Sequence, residues 1–281
     1  MCSKIVLPVL GIPLFGYGFM ILLGFLLGSF LCAREAERRG LAKDRVIDFA
    51  VFVVLAGIVG ARVLHVAWFW EESFKDAPWW SVFAVWEGGL IFYGALISGV
   101  PVGIWYLRRH RLPVLRTLDT CAPFVPVGMA FGRIGCWLNG CCFGLRCQDF
   151  LPEFLTRFPP GSPAHAAQEA LGMCGANERA LPVHPVQLYD SAHSLALFAL
   201  LWWMLRTKPA DGVTTFLLLA MYGAWRFVIE GLRGDHRLSA TGLTLSQNVS
   251  VAVFLMGVAG IVLAVRAARA RAAREGSSQA A

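Results

Sequence analysis

Residues 47–70 read IDFAVFVVLAGIVGARVLHVAWFW, a nearly unbroken apolar run with two charged side chains, Asp48 and Arg62. A helix needs about 20 mostly apolar residues to cross the hydrocarbon core of a bilayer. The run is continuous and does not alternate polar with apolar side chains, so it favours a helix over a transmembrane β-strand. This stretch therefore predicts a membrane-spanning helix.

Six further stretches have the same character, at about 13–33, 88–107, 117–140, 186–205, 213–230 and 245–265. Of all residues, 57% are hydrophobic and 15% are charged, whereas an average soluble chain is about 25% charged. The mean hydropathy is +0.60, which excludes a disordered, fibrous or ordinary soluble protein. We predict an all-α polytopic membrane protein with seven transmembrane helices. It forms a single membrane domain, with helices one to four in 1–140, a loop in 141–185, helices five to seven in 186–265 and a basic tail in 266–281.

The basic residues predict how these helices are oriented. The segments 34–46, 108–116, 206–211 and 266–274 hold 15 of the 25 Lys and Arg residues, and the segments between them hold few. Because basic loops stay in the cytoplasm, this alternation places the N-terminus outside and the C-terminus inside. The proline-rich loop 141–185 then lies outside, where it could form a small head. The net charge of +7 indicates contact with the lipid bilayer rather than with nucleic acid, since the basic residues are scattered over several loops.

Arginines inside the predicted spans indicate an anion-binding site. Arg133 and Arg226 lie near the outer ends of their spans, and Arg62 lies toward the outer side of its own. A charge held in a span costs about 2.5–3.5 kcal/mol on insertion scales, so such residues are functional candidates. A guanidinium group binds phosphate with two hydrogen bonds at once. The alternatives are that Arg226 pairs only with Glu230, four residues later on the same helical face, or that the arginines reach to the interface.

Arg133 differs from Arg226 because no acidic residue lies one turn from it. The nearest acids in sequence are Asp119 and Asp149, each well over a turn away. We therefore expect Arg133 to lack a carboxylate partner and to require an anion from a ligand.

Four cysteines form the pattern C-x4-C-C-x4-C at Cys136, Cys141, Cys142 and Cys147. The spacing lacks the C-x2-C pair that is typical of zinc sites, which disfavours a metal site. A disulfide among Cys141, Cys142, Cys147 and Cys174 is possible in an oxidising compartment. Free thiols packed as small apolar groups are the third interpretation.

Five phrases in the chain together resemble the prolipoprotein diacylglyceryl transferase family. They are YG at 17–18, WEGGLIFYGALISG at 86–99, GRIGCWLNGCCFG at 132–144, HPVQLYDS at 184–191 and YGAWRFVIEGLR at 222–233. Any one phrase would be weak, but the five in this order are specific. The resemblance implies seven spans in the bacterial inner membrane, a periplasmic N-terminus, a cytoplasmic C-terminus and a periplasmic head between the fourth and fifth spans.

The resemblance also implies a reaction. Members of the family transfer the diacylglyceryl group of phosphatidylglycerol to the lipobox Cys thiol in the signal peptide of a preprolipoprotein. The products are a thioether and glycerol 1-phosphate, and no cofactor or metal is implied. The residues suit this chemistry, because cationic donors stabilise a leaving phosphate and a thiol must lose its proton to react well.

Carried over by motif, Arg133 resembles the lipid-binding arginine, and Arg226 and Glu230 match a second arginine and its glutamate. The expected catalytic residues are Arg133, Arg226, Glu230, Tyr17, Tyr93 and Asn139, and the expected substrate-binding residues are Arg133, Arg62, Gly144, Tyr222 and Cys136. Three positions depart from the best-known enterobacterial pattern: Tyr93 replaces His, Cys136 replaces Asn and Cys141 replaces Glu. A mechanism with that His as the base is therefore not implied for this chain.

Two other functions remain open from the sequence. An anion or lipid transporter or channel could use the same arginines, although the chain has no inverted repeat and no pair of broken helices. A paralogue of the family could transfer another group. Formation of a thioether lipid on a lipobox peptide distinguishes all three.

Overall fold

A computed structural model of the chain describes residues 4–6, 13–85, 88–148, 151–207, 209–233 and 242–279. Trp86 and Glu87, which open the second of the five phrases, lie outside the described residues, as do Asp149 and Lys208.

The described part of the chain is built from helices, with one small exception at its start. Two three-residue strands, β1 (Lys4–Val6) and β2 (Pro13–Phe15), pair antiparallel. The helices are α1 (Gly16–Arg38), α2 (Lys43–Trp68), α3 (Phe92–Arg109), α4 (Val114–Cys121), α5 (Val125–Asn139), α6 (Glu153–Thr156), α7 (Pro163–Ala170), α8 (Val186–Arg206), α9 (Val213–Glu230) and α10 (Leu245–Gln279). The all-α prediction is confirmed at this level, and the strand pair is an addition to it.

Five helical segments are long and apolar enough to cross a membrane. They are Gly16–Arg38, Lys43–Trp68, Val114–Asn139, Val213–Glu230 and Leu245–Glu275. The third runs through α4, a 3₁₀ turn at Ala122–Phe124 and α5. The remaining two predicted spans coincide with α3 and α8, which fall short because α3 ends in Arg108 and Arg109 and α8 carries polar residues in its first half. The count of seven spans stays a prediction.

Residues 31–117 form one of two compact units, in which α2 and α3 pack at very close range. A Cβ atom at Gly94 would lie 2.8 Å from the carbonyl carbon of Gly60, so glycine is required for this approach. The hydroxyl of Ser98 donates a hydrogen bond to the carbonyl of Ala56 at 2.7 Å and ties the two helices together.

Arg62 is buried in this unit and holds a loop against α2. Its guanidinium group donates hydrogen bonds to the carbonyls of Ser81 at 2.6 Å, Val82 at 2.8 Å, Gly88 at 2.8 Å and Gly89 at 3.2 Å. These contacts offset the cost of burying the charge and fix the backbone at 81–82 and 88–89. The structure therefore gives Arg62 a loop-holding role, and binding of substrate by Arg62 stays a prediction.

The other compact unit comprises residues 1–30 and 118–281, and its helices meet through small and polar residues. A Cβ atom at Gly223 of α9 would lie 2.7 Å from the carbonyl oxygen of Ser250 of α10. Asp119 accepts hydrogen bonds from the backbone N–H of Gly212 at 2.6 Å and from that of Thr215 at 2.8 Å. A carboxylate at a helix N-terminus satisfies free N–H groups and the positive end of the helix dipole, so Asp119 stabilises the start of α9.

The segment 141–185 contains α6 and α7 and has its own apolar cluster. Phe158, Ala164, Ala180 and Val183 are buried together, and Trp137 at the end of α5 packs against them. In the same segment, the buried side chain of Gln168 accepts a hydrogen bond from the N–H of Leu181 at 2.6 Å and donates one to its carbonyl at 3.2 Å. The segment is thus a small folded body joined to α5, and its position outside the membrane stays a prediction.

Candidate functional site

The ends of three helices are held together by a short backbone network. The N–H of Gly144 donates to the carbonyl of His184 at 3.0 Å, and the N–H of His184 donates to the carbonyl of Leu145 at 2.9 Å. The N–H of Leu145 donates in turn to the carbonyl of Leu232 at 2.8 Å, and Gly144 forms a β-bridge with Arg233. Because these residues follow α5, precede α8 and follow α9, the network fixes the three helix ends relative to one another.

Gly144 occupies the tightest point of this network. A Cβ atom at 144 would lie 2.7 Å from the Cβ of His184 and 2.8 Å from the carbonyl oxygen of Leu232. Packing alone therefore requires glycine at this position. Substrate binding at Gly144 stays a prediction.

Arg133 on α5 has a carboxylate partner, contrary to the expectation from sequence. Its Nε atom lies 3.0 Å from Oδ2 of Asp190 on α8. The other oxygen of Asp190, Oδ1, accepts a hydrogen bond from Nε1 of Trp225 on α9 at 2.7 Å. The ring of Trp225 stacks on His193, with centroids 4.4 Å apart. The expectation that Arg133 lacks an acidic partner was wrong because that partner comes from a distant helix.

Arg226 and Glu230 form the ion pair that their spacing on α9 predicts. Nη2 of Arg226 lies 2.7 Å from Oε2 of Glu230, and both side chains are largely buried. The hydroxyl of Thr244 donates to Oε1 of Glu230 at 3.1 Å, and Nη2 of Arg226 donates to the hydroxyl of Ser246 at 3.2 Å. Nη1 of Arg226 is buried and has no hydrogen-bond partner among the described residues. The pair is therefore well placed but leaves one cationic donor unsatisfied.

Three cysteine thiols meet just beyond the end of α5. The Sγ atoms of Cys136, Cys141 and Cys142 all lie within 4.8 Å of one another. The side chain of Asn139 hydrogen-bonds that of Cys141, and the buried Gln187 donates from Nε2 to the carbonyl of Cys141 at 2.7 Å. Sequence spacing alone did not predict this meeting of three thiols.

The structure places no disulfide among the cysteines that it describes, which are Cys32, Cys121, Cys136, Cys141, Cys142, Cys147 and Cys174. Among them the disulfide interpretation is therefore not supported. Hydrogen bonds with the thiols of Cys136 and Cys141, together with the positive charges of Arg233 and Arg133, hold the pKa of Cys142 below its usual value.

Tyr17 lies beside this cluster, on the first turn of α1. A Cβ atom at Gly135 would lie 3.1 Å from Cδ2 of Tyr17, so α1 approaches α5 closely at this glycine. The phenol interacts electrostatically with the three clustered thiols and with Arg133. The structure thus brings together Tyr17, Arg133, Asn139 and Cys136, four of the residues that the sequence singled out.

The other predicted site residues are placed as follows. Tyr222 is partly buried on α9, one turn before Arg226. Tyr93 stands at the start of α3 in the unit 31–117, is 37% exposed, and contacts Phe92 edge to face at 6.4 Å. The roles of Tyr222 and Tyr93 stay predictions.

Sequence reasoning missed Asp190, Gln187 and Trp225, although all three lie in the quoted phrases. Gln187 and Asp190 are spaced by three residues near the start of α8, which puts them on one helical face. Two polar side chains on one face of a predicted membrane-spanning helix are a signal that could have identified them.

Comparison with known proteins was made against families and individual relatives. A model of the family described as prolipoprotein diacylglyceryl transferase matches residues 4–263. A protein of Neisseria gonorrhoeae is 34% identical over 258 residues, which are 88% of this chain and 90% of that protein. Proteins of Gloeobacter violaceus, 32% identical over 265 residues (92% of this chain, 91% of that protein), and Clostridium tetani, 29% identical over 256 residues (91% and 95%), are similar over nearly their whole length. All three are named phosphatidylglycerol–prolipoprotein diacylglyceryl transferase.

Proposed function

The chain belongs to the prolipoprotein diacylglyceryl transferase family, and we propose that it transfers the diacylglyceryl group of phosphatidylglycerol to the lipobox cysteine of preprolipoproteins. The cysteine sulfur bonds to the glycerol carbon as the bond from that carbon to the phosphate oxygen breaks. Glycerol 1-phosphate leaves, the thiol proton passes to a base, and the product is a thioether. The reaction takes place in the bacterial inner membrane, and its partners are the lipid and the signal peptide of the acceptor.

The observation that carries this proposal is the pairing of each of the two motif arginines with a buried carboxylate. Arg133 contacts Asp190, and Asp190 also binds Trp225, the residue before Arg226. Arginines held in place by buried carboxylates suit a phosphate, because preorganised cationic donors stabilise the charge that develops on the leaving group. The buried, unsatisfied Nη1 of Arg226 supports the same interpretation, since leaving such a group without an acceptor costs about 1–3 kcal/mol.

An apolar groove beside Arg226 supports a lipid substrate. It has a volume of about 280 Å³ between α9 and α10 and is lined by Gly223, Ala224, Phe227, Ser250, Val251 and Phe254. Phe227 follows Arg226 directly, and Ser250 lies one turn after Ser246, which accepts a hydrogen bond from Arg226. An acyl chain in this groove would bring its headgroup to the level of Arg226.

The remaining predicted residues complete the proposal. Tyr17 and Asn139 act beside the thiol cluster, and Glu230 orients Arg226 or accepts the thiol proton. We assign contact with the lipid or the peptide to Tyr222, Gly144 and Cys136. We further propose that Tyr93 is a catalytic residue and that Arg62 binds substrate.

The proposed function is tested with the full chain in vesicles of phosphatidylglycerol and a lipobox peptide. We expect the peptide to gain the mass of a diacylglyceryl group on its cysteine, and glycerol 1-phosphate to appear in equal amount. A peptide with serine at the lipobox position and vesicles of phosphatidylethanolamine are the controls. A peptide that stays unmodified would refute the proposal and favour a paralogue that transfers another group.

We also propose seven spans, a periplasmic N-terminus, a periplasmic head at 141–185 and a cytoplasmic C-terminus. The location of α3 and α8 at the two remaining predicted spans supports this count, as does the concentration of basic residues in alternate loops. A reporter enzyme that is active only in the cytoplasm should therefore be active when it is fused after the last residue. A C-terminal reporter that is active only in the periplasm would contradict the span count.

Asp190 is expected to position Arg133, and its loss should slow the reaction. Asp190→Asn keeps the size of the side chain and an acceptor for Trp225 but removes the charge that holds Arg133. A displacement of about 1 Å at a reacting group can cost about 100-fold in rate, so we expect transfer to fall by up to about 100-fold. The control is Asp211→Asn, which changes an exposed carboxylate before α9. Unchanged transfer by Asp190→Asn would contradict a positioning role.

A further inference from the structure

The cluster of Cys136, Cys141 and Cys142 has the geometry of a metal-binding site. Its three Sγ atoms lie within 4.8 Å of one another. Three sulfur ligands placed tetrahedrally at about 2.3 Å from one zinc ion lie about 3.8 Å apart. Only small rotations of the thiols are therefore needed to bring all three into a first coordination sphere.

The backbone around the cluster is shaped to bring these thiols together. Gly140 has a φ of 71°, and Cys142, which is not a glycine, has a φ of 57°. A residue other than glycine in the left-handed region is uncommon, and such strain is concentrated at functional sites. The hydrogen bond from Gln187 to the carbonyl of Cys141 anchors the turn to α8. The turn thus folds back so that Cys141 and Cys142 meet Cys136 on the last turns of α5.

The charges around the cluster favour thiolates, which are the form that binds metal. The positively charged side chains of Arg133 and Arg233 lie close enough to act on Cys142, and nearby cations favour the thiolate. Soft thiolate ligands select ions such as Zn²⁺ over Mg²⁺ or Ca²⁺. Three protein ligands with a fourth position left open is the arrangement of catalytic rather than structural zinc sites.

We propose that Cys136, Cys141 and Cys142 bind one Zn²⁺ as three thiolates and that its fourth position takes the thiol of the acceptor cysteine. The second half of this proposal rests on the proposed function. Arg133 lies one helical turn before Cys136, which brings the fourth ligand close to the arginine proposed to hold the phosphate. The acceptor thiol loses its proton on coordination to the base of the proposed function, its sulfur then bonds to the glycerol carbon as the bond from that carbon to the phosphate oxygen breaks, and the zinc ion is neither oxidised nor reduced.

This assignment rests on the cysteines of this chain. Cys136 and Cys141 stand at two of the three positions where it departs from the best-known family pattern, which has Asn and Glu there. Metal binding is therefore inferred from these cysteines and does not follow from the family resemblance.

Zinc binding is measured on the full chain in detergent, reduced, stripped with a chelator and dialysed against Zn²⁺. We expect one zinc ion per chain, with Zn–S distances of about 2.3 Å by X-ray absorption. Cys136→Ser, Cys141→Ser and Cys142→Ser should each weaken zinc binding by at least about tenfold, whereas Cys174→Ser, in the segment 141–185 but outside the cluster, should not.

A second measurement alkylates the unsubstituted chain, so that it does not depend on the folding of a variant. Zinc should protect the three clustered cysteines from alkylation but should not protect Cys174. Failure of the reduced, unsubstituted chain to retain zinc, or equal alkylation of the cluster with and without zinc, would overturn the site.

The fourth ligand is tested without any lipid, so that no transfer can occur. Co²⁺ replaces Zn²⁺, and a lipobox peptide is added while the sulfur-to-cobalt absorption is recorded. We expect the absorption to increase with the cysteine peptide and to stay constant with the serine peptide. Metal binding with no response to the cysteine peptide would overturn the assignment of the acceptor thiol. Failure of the vesicle assay described above would instead refute the proposed function, and the zinc measurement would be unaffected by it.

Discussion

Arg133→Ala is expected to lower diacylglyceryl transfer by about 100- to 1,000-fold, the loss typical of removing one donor to a developing oxyanion. Arg133→Lys keeps the positive charge but loses the planar fork that binds phosphate with two hydrogen bonds, so it should also be strongly impaired. Transfer is measured at equal protein levels in membranes. The matched control is Arg206→Ala, at the opposite end of α8 from Asp190, where the guanidinium group stacks over Trp202 at 5.0 Å. Near-normal transfer by Arg133→Ala would refute the assignment.

A double variant separates the direct role of Arg133 from the effect of leaving Asp190 unpaired. Removing one member of a buried ion pair is destabilising because the other charge is left without a partner. If Arg133→Ala acts only through that charge, Asp190→Asn in the same chain should restore transfer. We expect no restoration, because the guanidinium group of Arg133 is absent from the single and from the double variant. The non-additivity of the two substitutions in a double-mutant cycle would measure the coupling between Arg133 and Asp190. Recovery to within a few-fold of normal would show that Arg133 serves the fold rather than the reaction.

Glu230→Gln is expected to lower transfer by at least about tenfold and to destabilise the protein, since breaking a buried pair costs about 3–5 kcal/mol. The pair it breaks is largely buried, and Nη2 and Oε2 are 2.7 Å apart. A matched control is Glu153→Gln, which breaks the ion pair of Glu153 with Arg157. This pair has the same spacing of four residues, but the Glu153 side chain is 68% exposed. Exposed pairs contribute about 0–1 kcal/mol, so this control should change neither transfer nor thermal unfolding in detergent. Equal effects of the two variants would contradict a special role for Glu230.

The part of the site that sequence predicts well is the part that depends on local spacing. Arg226 and Glu230 are four residues apart on one helix, so their pairing follows from helical geometry alone. Arg133 and Asp190 lie on different helices, and their contact depends on how α5 and α8 pack. Periodicity carries no information about such packing, which is why the sequence assigned no acidic partner to Arg133.

The same distinction explains the remaining differences. The helices α1, α2, α9 and α10 are predicted because long apolar runs are direct evidence of spans. The thiol cluster was not predicted, because it depends on a left-handed backbone at Cys142, a conformation for which this residue type gives no signal. Arg62 was predicted as a substrate-binding residue from its charge inside a span, whereas the backbone carbonyls at 81–82 and 88–89 accept its hydrogen bonds.

The two oxygens of Asp190 bind different partners, and this division allows Arg133 to change partners without disturbing the scaffold. Oδ1 can stay with Trp225 while Arg133 leaves Oδ2 for a phosphate. In the proposed reaction, the carboxylate would compete with the lipid phosphate for Arg133. Such competition would weaken the binding of the ground-state headgroup and of the departing glycerol phosphate, and Arg133 would return to Asp190 before the next cycle.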